Sequence, residues 1–117
     1  MFRKTFEDGP PELHIVFDGG YNGGLGVGTW AVVLVYKDKE VLLEYGHAYK
    51  TTSSDLEFRG AQKALQYAFK LGVETIIGDC EGCMKSMNKK YPEFTWGWTP
   101  SKSNVADKYT KHYPSGV

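Results

Sequence analysis

Residues 13–24 read Leu-His-Ile-Val-Phe-Asp-Gly-Gly-Tyr-Asn-Gly-Gly, and this stretch decides how the rest of the chain is interpreted. The run Leu13–Asp18 is short and mostly apolar, which predicts a buried strand that ends at an acid. Glycine then occupies six of the ten positions from 19 to 28, and this density predicts a tight turn rather than a regular element.

Two further strands are predicted directly after the glycines. Thr29–Tyr36 is rich in β-branched and aromatic residues, Lys37–Glu40 is a polar turn, and Val41–Tyr49 is again strand-like. Because such short loops join neighbouring strands in opposite directions, we expect an antiparallel meander of three strands.

The second half of the chain alternates helices and strands. Small hydroxyl residues at Thr51–Ser54 predict the start of a helix that runs to Leu71 and is capped by Gly72. The later elements are predicted in chain order as a strand, a short helix, a strand and a helix: Val73–Asp79, Cys80–Lys89, Phe94–Thr99 and Ser103–His112.

The order βββαβαβα predicts an α/β fold with a five-stranded mixed sheet flanked by helices. Its first three strands are antiparallel and its last two are parallel to the first, because a helix separates each of them from the preceding strand. Residues 1–11 carry little periodicity and predict an N-terminal arm, and residues 12–117 predict a single domain.

The composition limits the function. The chain has 117 residues, 41% of them hydrophobic, with 14 basic and 14 acidic side chains. Zero net charge argues against a general polyanion-coating protein. No apolar run has the roughly 18 residues of a membrane span, and the polar N-terminus does not look like a signal peptide. We therefore expect a soluble, cytoplasmic protein with no membrane partner.

Three acids fall where burial is expected. Asp18 and Asp79 end parallel strands and should meet at one edge of the sheet, while Glu57 lies on the helix stripe that includes Ala61. Each acid taken singly is more simply a solvated residue at the end of an element, but three at compatible positions need a cation. All-oxygen ligands favour Mg2+ or Mn2+ over zinc. For Asp107, favourable placement near a helix N-terminus is an equally good explanation.

The two cysteines allow two other functions. Cys80 and Cys83 form a Cys-Glu-Gly-Cys motif, which could be half a zinc site or a thiol redox pair. No second Cys pair or His pair completes a zinc site, so reduced, partly buried thiols are the favoured interpretation.

Four segments resemble the ribonuclease H family, type 1-like. They are an aspartate before a Gly-rich turn, a hydroxyl-rich segment leading to a glutamate and an Ala-Leu helix, a strand-ending aspartate, and an Asn-x-x-Ala-Asp block after a Trp-Thr-Pro segment. The matching residues are Phe17–Gly24, Thr51–Glu57 with Ala64 and Leu65, Ile76–Asp79, and Trp98–Pro100 with Asn104–Asp107. The resemblance covers nearly everything from His14 onward, in the family's order.

This resemblance implies an enzyme that cuts the RNA strand of RNA/DNA hybrids with two Mg2+ ions, for which Mn2+ can substitute. The ligands of these ions would be Asp18, Glu57, Asp79 and Asp107. The resemblance also implies substrate contacts from the glycine turn, the hydroxyl pair, the basic patch and the loop before the last helix. These residues are Gly19, Gly20, Asn22, Gly23, Ser53, Ser54, Lys85, Lys89, Lys102 and Asn104. The patch around Lys85 and Lys89 is equally well explained as a solvated helix face.

The chain also departs from the family pattern. Ser53 and Ser54 replace two asparagines, and the loop before the last helix has Lys102 but no histidine. Only 27 residues separate Asp79 from Asp107, too few for the basic handle of some members, so we expect a compact member. A nuclease acting on DNA, such as a junction resolvase, and a non-catalytic module that binds nucleic acid or a protein partner remain alternatives. The sequence does not identify any protein partner.

Overall fold

The computed structural model describes residues 1–111, so His112 of the predicted last helix lies outside the described residues. The strands are β1 (Phe2–Arg3), β2 (Leu13–Asn22), β3 (Val27–Tyr36), β4 (Lys39–Tyr49), β5 (Thr75–Gly78) and β6 (Thr95–Trp98). The helices are α1 (Ser53–Leu71), α2 (Glu81–Lys90) and α3 (Asp107–Thr110), with a 3-10 turn at Ser101–Ser103. None of the helices in residues 1–111 has the length and apolar content to cross a bilayer.

The strands form one mixed sheet in the order β1-β6-β5-β2-β3-β4. Strands β2, β3 and β4 are antiparallel neighbours, whereas β5 runs parallel to β2 and β6 runs parallel to β5. The predicted α/β architecture and strand directions are therefore confirmed.

The predicted count of five strands is one too few. Phe2 and Arg3 pair in parallel with Trp96 and Gly97 of β6, and the Met1 amino group donates to Phe94 O at 2.6 Å. The predicted arm over residues 1–11 thus contributes its first residues to the sheet. A two-residue strand has no detectable period, and its partner lies more than 90 residues away, so the sequence pattern could not reveal it.

The predicted glycine turn is also shorter than expected. Strand β2 continues through Gly19 and Gly20 to Asn22, which pairs with Val27, so only residues 23–26 form the turn. The side chain of Asn22 accepts a hydrogen bond from Leu25 N at 3.1 Å, and this bond fixes the turn. Pairing with β3 outweighs the low strand propensity of glycine.

Helix α1 begins and ends as predicted. The side chain of Thr52 accepts a hydrogen bond from Asp55 N at 3.1 Å, and Gly72 caps the C-terminus with φ of 72°. The predicted apolar stripe, Ala61, Ala64, Leu65 and Ala68, is buried against one face of the sheet.

The last predicted helix, Ser103–His112, begins later than expected. Ser103 belongs to the 3-10 turn, and α3 begins at Asp107 without a side-chain cap. The cause is Asn104, whose amide donates to Phe17 O at 3.1 Å and whose side-chain oxygen accepts from Ala106 N at 2.9 Å. These bonds hold residue 104 in an extended conformation, with φ of −81° and ψ of 111°. Val105 and Ala106 then pack on the sheet face opposite α1.

A candidate metal centre at the edge of the sheet

Two of the predicted acids are neighbours because of strand register. Val16 of β2 pairs with Ile77 of β5, and Asp18 and Asp79 each follow two residues later along parallel strands. Side chains two residues apart in a strand point to the same face, so both carboxylates emerge on one side, Asp18 within β2 and Asp79 directly after the end of β5.

Glu57 joins them from α1 because the helix passes very close to β2. A Cβ at Gly19 would lie 2.8 Å from Glu57 N, so only glycine permits this approach. One ligand atom from each of Asp18, Glu57 and Asp79 lies within 4.8 Å of the others. The structure therefore brings together the three acids that the sequence placed at this edge.

Burial and mutual repulsion dominate the electrostatics of this cluster. The pKa of Asp18 is raised to about 8, first by burial and then by the charges of Asp79 and Glu57. The pKa of Glu57 is also raised to about 8, by burial and then by the charge of Asp79. Burial raises the pKa of Asp79 as well, against hydrogen bonds from Ser101 and Asn104 that lower it.

No lysine or arginine within residues 1–111 forms an ion pair with the three clustered acids. Glu57 Oε2 is buried and has no hydrogen-bond partner among the described residues. A buried carboxylate oxygen without a partner is costly, and a cation would satisfy it.

Asp107 borders the cluster without belonging to it. Its side chain raises the pKa of Asp18 through a hydrogen bond and that of Asp79 through its charge. Lys111 Nζ lies 3.8 Å from Asp107 Oδ1. The fourth predicted acid is therefore adjacent to the other three, and its part in metal binding stays a prediction.

Comparison with known proteins agrees with this fold. The ribonuclease H of Helicobacter acinonychis (strain Sheeba) is 31% identical over 77 residues, which cover 66% of this chain and 53% of that protein. The chain thus matches about half the length of this relative. No protein-family model matches the chain.

Solved structures show the same fold. The N-terminal RNase H domain of a Mycobacterium tuberculosis protein, solved as a fusion with maltose binding protein, superposes with a TM-score of 0.62 at 20% identity, covering 85% of this chain and 91% of that one. RNase H1 of Halobacterium salinarum NRC-1 superposes with a TM-score of 0.57 at 20% identity, and the match covers 85% of this chain and 91% of that one. LC11-RNase H1 was isolated from compost and solved with an RNA/DNA hybrid. It superposes with a TM-score of 0.63 at 19% identity, and the match covers 85% of this chain and 94% of that one. This chain has a ribonuclease H-like fold.

Three of the residues predicted to contact substrate pack closely against other parts of the protein. Asn104 is 5% exposed, and its amide reaches Asp79 Oδ2 at 3.3 Å as well as Phe17 O. A Cβ at Gly19 would collide with α1, and a Cβ at Gly20 would lie 3.3 Å from Thr110 Cβ. Contact with substrate also stays a prediction for these three residues.

The other predicted substrate residues remain at or near the surface. Ser53 and Ser54 are exposed at the start of α1, Gly23 is exposed in the β2–β3 turn, and Asn22 is half-buried beside it. Their contacts with substrate stay predictions.

The predicted basic residues are also on the surface. Lys85, Lys89 and Lys102 are exposed. Lys85 Nζ lies 3.1 Å from the Glu81 carboxylate one helical turn away and 5.7 Å from the centre of the Phe2 ring. The charge of Lys85 is therefore partly engaged within the protein, whereas no ion pair involves Lys89 or Lys102 in the described part of the chain.

Sequence reasoning missed two residues that hold the acids in place. Thr110 Oγ1 donates to Asp18 Oδ2 at 3.1 Å, and the side chain of Ser101 forms a hydrogen bond that lowers the pKa of Asp79. No sequence signal marks Ser101. For Thr110, its spacing of three residues from Asp107 within a helix was a usable signal, because such residues share a face.

The cysteines play a structural part next to the acids. Cys80 Sγ accepts a hydrogen bond from Cys83 N at 3.3 Å and so caps the start of α2. Both thiols are free, and burial raises the pKa of Cys83. A raised pKa disfavours the nucleophilic thiolate, in agreement with reduced, partly buried thiols.

Proposed function

We propose that this domain hydrolyses the RNA strand of RNA/DNA hybrids by a two-metal-ion mechanism. The observation that carries the proposal is the convergence of Asp18, Glu57 and Asp79 within 4.8 Å on a ribonuclease H fold. One similar structure, LC11-RNase H1, was solved in complex with an RNA/DNA hybrid, which supports this substrate class.

The residues present fit a hard divalent cation. All donors in the cluster are carboxylate oxygens, Glu57 Oε2 has no hydrogen-bond partner within residues 1–111, and burial penalises the charge of each acid. Such a set favours Mg2+, with Mn2+ as a substitute, and we assign Asp18, Glu57, Asp79 and Asp107 as ligands. Bound ions would supply an activated water and stabilise the leaving oxygen of the phosphodiester.

The remaining contribution of this chain is positioning. Asn104 and Ser101 hold Asp79 by hydrogen bonds, and Thr110 holds Asp18. These bonds favour the charged carboxylates that a cation requires and limit their rotation.

We further assign the hybrid-facing surface to exposed or half-buried groups around the site. Polar contacts come from Asn22, Gly23, Ser53 and Ser54, and phosphate contacts come from Lys85, Lys89 and Lys102. If four acids bind metal, the 14 basic residues face only ten other acids, so the rest of the surface favours a polyanion. Weak hybrid binding without Mg2+ follows from this balance.

The decisive test is cleavage of a hybrid with a labelled RNA strand, with Mg2+ and with EDTA. We expect Mg2+-dependent cleavage by the wild type and a loss of at least about 100-fold in Asp18→Asn. Asp55→Asn is the matched control, because Asp55 is exposed in the first turn of α1. Equal cleavage by the wild type and Asp18→Asn would refute the assignment.

The substrate is tested in the same assay. Duplex DNA, branched DNA and single-stranded RNA are offered beside the hybrid. We expect the hybrid to be cut fastest, and preferential cutting of branched or duplex DNA would make the chain a DNA nuclease on the same fold.

A cytoplasmic location is part of the proposal. It is supported by the free thiols of Cys80 and Cys83, which persist in a reducing compartment. Cell fractionation with an antibody to the chain tests this location, and recovery in the periplasm or membrane fraction would contradict it.

A further inference from the structure

Helix α3 carries Asp107, and hydrogen bonds of two buried threonines, Thr29 and Thr110, connect this helix to the sheet. Thr29 Oγ1 on β3 donates to Thr110 O at 2.7 Å, and Thr110 Oγ1 lies 3.1 Å from Asp18 Oδ2 on β2. Thr29 and Thr110 are 0% and 1% exposed. Two neighbouring strands therefore hold the same residue of α3 from inside the protein.

This attachment matters because α3 has little stability of its own. It spans Asp107–Thr110, and Ala106 at its start provides no side-chain cap. A single helical turn is unstable unless tertiary contacts hold it. Gly20 leaves the space that Thr110 needs, since a Cβ there would lie 3.3 Å from the Thr110 hydroxyl oxygen.

The attachment also sets where Asp107 lies. Residues three apart in a helix share a face, so fixing Thr110 against β2 turns Asp107 towards the same strand. The side chain of Asp107 lies close enough to Asp18 to raise its pKa. Thr110 Oγ1 also lies 2.8 Å from Asp107 O, so the backbone of Asp107 and the carboxylate of Asp18 share the single proton of this hydroxyl.

We propose that Thr29 and Thr110 form a hydroxyl clamp that positions Asp107 beside Asp18 for joint metal binding. The clamp consists of the Thr29–Thr110 and Thr110–Asp18 hydrogen bonds. Thr29 and Thr110 are positioning residues, and neither needs to touch the metal. This inference rests on the proposed function only in treating Asp18 and Asp107 as ligands.

The test varies Thr29, because it is the clamp residue that does not contact an acid in the cluster. Thr29→Val keeps the shape and strand propensity but removes the hydroxyl, and Thr29→Ser is the matched control that keeps the hydroxyl. Binding of Mn2+ to the substrate-free protein is measured from the electron paramagnetic resonance signal of unbound Mn2+.

We expect Thr29→Val to weaken Mn2+ binding about 10-fold and Thr29→Ser to stay within about 3-fold of the wild type, the range typical of residues that orient metal ligands. If the clamp acts through Asp107, Thr29→Val should have little further effect in an Asp107→Asn background. Urea unfolding of each variant measures stability separately. If Thr29→Val does not fold, Thr110→Ser and Thr110→Val form the replacement pair.

If Thr29→Val binds Mn2+ with wild-type affinity, the clamp proposal is wrong. An equal loss in the Asp107→Asn background would also overturn it, because a merely structural threonine would weaken binding whether or not Asp107 is present. The proposed function fails differently: Mn2+ would bind and the clamp variants would behave as expected, but the hybrid would not be cut.

Discussion

Gly19 of β2 lies directly against the backbone of Glu57 in α1: a Cβ at position 19 would lie 2.8 Å from Glu57 N and 2.6 Å from the carbonyl carbon of Leu56. The close approach of helix and strand at this point delivers the Glu57 carboxylate to Asp18. The glycine that follows Asp18 is therefore a packing requirement of the candidate metal centre.

Gly19→Ala is expected to separate α1 from β2. Because the clashing atoms belong to backbone, the helix must shift, and overpacking of this kind typically costs about 1–3 kcal/mol. We expect a lower urea midpoint and a fall of at least about 10-fold in hybrid cleavage. Gly82→Ala is the control, since Gly82 is exposed on α2 and a Cβ there meets nothing within 4 Å. A Gly19→Ala protein as stable and active as that control would contradict the packing argument.

The stability of the metal-free protein should depend on pH in an unusual direction. The folded-state pKa of Asp18 and of Glu57 is raised to about 8, from ordinary values of 3.8 and 4.5. The folded state thus binds more protons than the unfolded chain between about pH 4 and pH 8. The contribution of these two groups to the free energy of unfolding is fully present below about pH 4 and is lost as the pH rises to about 8.

Thermal unfolding in EDTA measures this effect. We expect the midpoint to fall by about 5 °C or more between pH 6 and pH 8.5, the shift that about 1 kcal/mol produces in a small domain. Mg2+ should reduce the fall, and Asp18→Asn should flatten it, whereas Asp55→Asn should not. A midpoint that rises with pH in EDTA in the wild type, but not in Asp18→Asn, would contradict the raised pKa values.

Asn104→Ala is expected to act on catalysis rather than on substrate binding. The change removes hydrogen bonds to Phe17 O, Asp79 Oδ2 and Ala106 N. Loss of bonds from a buried amide costs about 1–3 kcal/mol, and loss of the Asn104 bond raises the pKa of Asp79 further. Steady-state cleavage should show a fall in kcat with little change in KM.

Exposed Ser54 provides the contrast, because Ser54→Ala should raise KM and leave kcat nearly unchanged. A KM effect alone in Asn104→Ala would favour a direct substrate contact.

The cysteines should be dispensable for activity. Cys80→Ser keeps a side-chain acceptor for Cys83 N, so hybrid cleavage and stability should stay close to wild type, with or without dithiothreitol. Cys80→Ala removes the helix cap and should cost about 1 kcal/mol in urea unfolding. Loss of activity in Cys80→Ser would revive a thiol-based role.

Local chemistry in the sequence was sufficient for most elements. A short apolar run and β-branched and aromatic residues marked the strands from β2 to β4. The hydroxyl residues Thr51–Ser54 and Gly72 marked the ends of α1, because propensity and capping act over a few residues. The parallel direction of β2 and β5 also followed from chain order, so Asp18 and Asp79 could be placed side by side without coordinates.

Contacts between distant residues were decided only by the tertiary structure. Phe2 finds its partner Trp96 at the far end of the chain, Asn104 leaves the predicted helix to bind Phe17 O, and Thr110 reaches Asp18 across 92 positions. None of these contacts can be recognised from the neighbouring sequence. Each forms because folding removes water from polar groups, which must then find another hydrogen-bond partner. The sequence by itself determined the fold and the three clustered acids; the tertiary structure alone decided which side chains hold those acids in place.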